Sequence, residues 1–243
     1  MRTRELPPPL PPAERTVGQF IAETIRAYGA HFWRALPLGA PLAIATQISL
    51  GRSANEWTIV LFALAPLIAL AFVAACTLVL ESARGTATTV VVALLVFAPI
   101  PILVRVFVLP AVAWLALFGL AVPAAAVERL GFRAALRRGR ELATADYVHA
   151  LGSLCALVIV IALSDLVLVS LLRSQGDSGQ RIAHLLADVV LSPLLYIGGA
   201  LLYLDQAARV GSRPHPERSR RDADLHPPVD ADAAGRADPQ VEP

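Results

Sequence analysis

Three charged residues sit in or beside long apolar runs, and they are the first candidates for chemistry: Arg105, Asp165 and Asp188. A charge at the centre of a bilayer costs about 3 kcal/mol on insertion scales, so each should face a protein interior, find a partner or reach the interface. One arginine and two aspartates have complementary signs, which suggests an intramembrane polar cluster of Arg105 with Asp165, Asp188 or both. Three readings are open. The cluster forms an outward-facing polar cavity for an ion, a proton or a substrate; or it is a paired lock between helical hairpins; or the side chains simply reach for the boundary.

The remaining reactive side chains form no pattern of their own. His31, His149 and His184 are far apart, His215 and His226 belong to a polar tail, and neither set has the short spacings of a zinc site. Cys76 and Cys155 both lie inside apolar runs, where cysteine acts as a small hydrophobe. No glycine-rich phosphate loop and no nucleophile–base pairing stands out. The expectation is a non-enzymatic protein with no catalytic, cofactor-binding or metal residues and no cofactor.

The elements that carry these residues are legible from composition. Of 243 residues, 56% are hydrophobic and 16% charged, and the mean hydropathy is +0.61. The apolar residues are gathered in blocks, as in an all-α integral membrane protein. Residues 58–80 run for 23 positions without a charge, about 34 Å of helix against a hydrocarbon core of roughly 30 Å. Residues 88–127 are apolar except for Arg105. As a single helix they would be about 60 Å long, so they should form two crossings with Arg105 near the tip between them. Residues 148–172 and 184–204 supply two more crossings, and 35–51, weakened by Pro37 and Pro41, supplies a first. Six crossings result; five is the alternative if 35–51 or the Arg105 hairpin fails.

Two stretches alternate differently. Val17, Phe20, Ile21, Ile25, Tyr28 and Phe32 recur at helical spacing between polar residues, and 129–142 mixes five arginines with Leu130, Phe132, Leu136 and Leu142. Both read as amphipathic helices lying in the interface, the second against anionic headgroups of the inner leaflet. Residues 1–15, with five prolines, read as a disordered arm, 16–208 as the membrane domain, and 209–243 as a disordered tail. All 21 basic residues are arginine. Under six crossings most of those near the bilayer fall on the side of the two termini, which assigns that side to the cytoplasm. Nucleic-acid binding is not suggested.

The stretch PAAAVERLGFRAALRRGRELATAD (residues 123–146) resembles a signature of a bacterial membrane-domain superfamily, best known as the membrane domain attached to some glycerophosphoryl diester phosphodiesterases. Pro123, Glu128, Leu136, Arg137, Arg138 and Leu142 carry the likeness. A closing signature, usually Tyr-Tyr-Asp-Leu-Arg, reads LLYLDQAARVG here, with Tyr203 and Asp205 in place and Arg209 displaced. Gly139 stands where the family usually has arginine or serine. The resemblance covers about 17–211 and implies a multi-pass module in a bacterial cytoplasmic membrane. It does not extend to the phosphodiesterase barrel, whose residues have no place in this chain. The function expected is a scaffold or partner of an envelope protein; the alternative is a small transporter or lipid-handling protein.

Overall fold

Helix starts are written into the sequence as capping residues. Thr16 and Gln19 close a reciprocal capping box at the head of α1 (Val17–Ala30), and Ser53 and Glu56 close another at α4 (Ala54–Val79). The Thr86 hydroxyl accepts from the Thr89 amide to start α5 (Ala87–Phe97). The computed structural model describes residues 11–212, and among these it is all-helical, with no strand. The expected proline-rich arm lies outside the described residues from 1 to 10, and the expected tail from 213 onward. Unit boundaries fall at Val210 and Gly211.

Among the described residues, five helical segments are long and apolar enough to cross a membrane: Ala54–Val79, Ala87–Val106, Val108–Glu128, Tyr147–Leu172 and Gly176–Gly211. The 88–127 run divides as its length required. Each half is itself broken. Pro99 separates α5 from α6 (Ile100–Val106), and Gly119 and Leu120 separate α7 (Val108–Phe118) from α8 (Ala121–Glu128). Phe107 is extended at the tip. Arg129 ends α8 in the left-handed region at φ 53°, a conformation unusual for a side chain with a β-carbon. The charged block then forms α9 (Phe132–Ala145), followed by α10 (Tyr147–Leu172) and α11 (Gly176–Ser212). Helix therefore continues through 209–212, where the sequence suggested the tail begins.

The 35–51 segment is not one uninterrupted α-helix. After α2 (Phe32–Ala35), a 3-10 turn at Leu36–Gly39 precedes α3 (Ala40–Ser49), whose ten residues cover about 15 Å. The chain from 15 to 47 nevertheless follows α11 along most of its length. Arg15 meets Asp205, a Cβ on Gly198 would touch Thr24, the Tyr28 hydroxyl donates to the Val190 carbonyl, and the Gln47 amide donates to the Arg181 carbonyl. At Gly39 a Cβ would stand 2.5 Å from the Val189 carbonyl oxygen, so only glycine permits this approach.

That path gives the amphipathic helix expected at 17–32 a protein neighbour on one face. The stripe of Phe20, Thr24 and Tyr28 is buried against α10 and α11. In α9, similarly, Ala135, Gly139, Leu142 and Ala143 are buried against neighbouring helices, with Gly139 pressed on the Ala121 backbone. Its arginines 133, 137 and 140 stay exposed.

Candidate functional site

The densest polar constellation lies where α8, α9, α10, α11 and the residues preceding α1 converge. It has two nodes. In the first, Glu128 at the end of α8 accepts from Arg138 Nε at 3.0 Å and from the Tyr203 hydroxyl at 3.0 Å, both on Oε1. Glu128 reaches Arg138 because the left-handed turn at Arg129 folds α9 back over α8. Burial works against the Arg138 charge, but the hydrogen bond and charge of Glu128, with Glu141 beside it, hold the guanidinium pKa above its ordinary value. Three residues chosen from the family-like motifs thus meet on one carboxylate oxygen.

The second node is centred on Asp205, which has no exposed surface. Arg15 Nη1 donates to its Oδ1 at 3.0 Å, and His149 Nε2 lies 4.0 Å from its Oδ2. Asp146 caps α10, accepting from the His149 amide at 3.0 Å, and takes Arg209 Nη1 at 2.7 Å on its other oxygen. Arg209 also donates to the Arg15 carbonyl at 2.9 Å, and the Gln206 amide to the Asp146 carbonyl at 3.3 Å. The segment before α1, the start of α10 and the end of α11 are thereby tied together by charge-assisted bonds.

One arrangement here has the residue types of a hydrolytic triad. Ser153 Oγ is 3.5 Å from His149 Nε2, and Asp205 approaches the same nitrogen. A serine-activating imidazole needs the carboxylate on Nδ1, opposite the hydroxyl, so this geometry cannot orient the tautomer that takes a serine proton.

A smaller polar group lies toward the other end of α10 and α11. Asp165 Oδ1 is 3.2 Å from His184 Nδ1, Thr46 faces Asp188 as a hydrogen-bonding neighbour, and Asp188 Oδ2 is buried with no hydrogen-bond partner among the described residues. Arg105 does not join them. It is exposed at the end of α6 and makes no ion pair among the described residues. The expected pairing fails because placement on one side of a bundle fixes depth but not lateral position. His184 stands where the arginine was expected.

The other motif residues divide between packing and surface. Pro123 and Leu142 are buried, Arg137 is exposed with Glu141 at 3.8 Å, and Leu136 lines an apolar groove. The sequence reading did not single out Asp146 or Gln206, set His149 aside as an isolated histidine, and gave Arg15 and Arg209 no role in a site. The signal available for Asp146 was its place immediately before an apolar run, where aspartate caps helices; for the others, local spacing carries none. Among the described residues no group of three or more His, Cys, Asp and Glu could hold a metal ion. No family model matches the chain, and neither the curated proteins nor the solved structures give a match.

Proposed function

We propose that this chain is a non-enzymatic module of a bacterial cytoplasmic membrane that crosses it six times, with both termini on the cytoplasmic face, and that serves as a scaffold or partner for an envelope protein. The observation that carries this reading is the use made of charge at the Arg15–Asp205 end. Asp205, Asp146 and Glu128 each face arginine from a different part of the chain, so the polar side chains act as helix-to-helix ties. The sixth crossing would be α1 through α3 taken together, since that path leads from the Asp205 end of α11 to its Arg181 end. Arginines 84, 129, 133, 137 and 140 lie with the same end, which favours a cytoplasmic assignment. The resemblance to the phosphodiesterase-associated membrane domain supports the same location.

A partner surface is available on the far half of α10, where Leu163, Leu166, Val167 and Leu171 are exposed. Photocrosslinking residues placed at Leu166 and Leu171 should give a discrete covalent adduct with another membrane protein in intact cells. Lipid adducts alone would count against the scaffold reading.

A second reading, a small transporter or lipid-handling protein, is favoured by Asp188, whose partnerless Oδ2 sits near Asp165 and His184. Proteoliposomes with an entrapped pH indicator separate the two: a proton leak abolished by Asp188→Asn supports transport, and permeability equal to that of empty vesicles supports the scaffold.

A further inference from the structure

We propose that α9 and the groove beside it form a binding site for an anionic glycerophospholipid, its headgroup on Arg133, Arg137 and Arg140 and one acyl chain in the groove. This goes beyond the scaffold reading and does not depend on it.

Three observations carry the proposal. At 100° per residue, positions 133, 137 and 140 fall within an arc of about 60° on α9, opposite buried Ala135 and Leu142. The three side chains are exposed. Arg133 and Arg140 make no ion pair among the described residues, and Arg137 has only Glu141 at 3.8 Å. They are therefore arginines in surplus, whereas Arg138 on the same helix is committed to Glu128.

Leu136 lies on the edge between this arginine face and the buried stripe, and its side chain enters an apolar groove of about 420 Å³. The groove exists because both halves of the 87–128 hairpin are broken. Ala98, Pro99 and Ile102 line it at one break, Trp114 and Phe118 lead up to the other, and Phe62 of α4 contributes from across the bundle. Phe62 is roughly 25 Å along α4 from its Val79 end, so the groove belongs to the depth of acyl chains and not to the headgroup layer. An occupant must combine a negative, hydrogen-bond-accepting head with a long apolar tail at the edge of a bilayer. Guanidinium groups pair with phosphate oxygens in two-pronged geometry, and an anionic phospholipid fits both halves.

Trp114 is a reporter inside the groove, its indole nitrogen donating to the Val96 carbonyl at 2.9 Å. The full-length chain carrying Trp33→Phe and Trp57→Phe retains it as the sole tryptophan. In phosphatidylcholine nanodiscs, a small fraction of chain-brominated phosphatidylglycerol should quench Trp114 as though enriched about fivefold over bulk, the factor that one surface arginine supplies. Brominated phosphatidylcholine at the same fraction should show no enrichment. The excess should vanish in the triple variant Arg133→Gln, Arg137→Gln, Arg140→Gln, and also in Ala98→Phe, which fills the groove without touching charge. Equal quenching by the two lipids, or an excess that survives the triple variant, would overturn the site. An excess lost in the triple variant but intact in Ala98→Phe would also overturn it, because attraction to the general surface would then account for the signal.

Discussion

Arg15 and Asp205, 190 positions apart in sequence, meet at 3.0 Å with the carboxylate wholly enclosed. Arg15 precedes α1, so the contact ties the segment just before that helix to α11. A buried pair of this kind contributes little against an apolar pair of equal volume, but breaking it from one side leaves an isolated charge.

The Arg15→Met variant should accordingly lose about 3 kcal/mol of stability, with His149 at 4.0 Å and Arg209 left as basic neighbours of Asp205. The double variant Arg15→Met, Asp205→Leu should recover most of that loss. Thermal unfolding in mild detergent, arranged as a double-mutant cycle, reads the coupling. Additive losses would mean that the two groups do not act as a pair.

At the Glu128 node the expected ranking is specific. Tyr203→Phe removes one neutral donor and should cost about 1 kcal/mol. Glu128→Leu strands Arg138 and should cost more, about 2 kcal/mol after discounting for the exposure of both partners. A reversed order, measured by the same unfolding assay, would mean that the hydroxyl and not the charge holds α11 to α8.

Close approach at two glycines makes a steric prediction. Gly139→Ala meets the Ala121 amide nitrogen at 2.5 Å and Gly39→Ala meets the Val189 oxygen at 2.5 Å, so each should destabilise by about 1–3 kcal/mol. Gly18→Ala, on an open face of α1, should instead stabilise by about 0.5–1 kcal/mol. Circular dichroism melts of the three variants test the contrast directly.

Arg105→Gln should leave stability within about 0.5 kcal/mol of the parent, as for a surface change without partners. Asp188→Asn, by contrast, should raise the melting temperature, because it neutralises a carboxylate whose Oδ2 has no bond. A marked loss from Arg105→Gln would mean that Arg105 has a partner after all.

The crossings were legible because a charge-free run of bilayer length has few other uses. The expected 58–80 and 148–172 correspond to Ala54–Val79 and Tyr147–Leu172. Length alone was enough to divide the 88–127 run. What covers an amphipathic face was not legible. The Phe20–Thr24–Tyr28 stripe has the same periodicity whether it meets lipid or α10 and α11. The charged ties were hidden for a related reason. Arg15, the Asp146–His149 pair and Arg209 are brought together by tertiary packing over separations of up to 194 residues, and no sequence window spans the three positions. Tyr203 emerged only through motif resemblance, and Arg105 was misassigned because charge sign carries no lateral coordinate.

The Arg15–Asp205 tie has a consequence for how the protein is made. Asp205 is synthesised 190 residues after Arg15. At about 5–20 residues per second the wait is on the order of 10–40 s. Throughout that interval Arg15 lacks its carboxylate partner, so the segment before α1 takes its final seat only once α11 has been translated as far as Asp205. A chain truncated before Asp205 should therefore leave the residues around Arg15 open to added protease, whereas completing α11 should close them off.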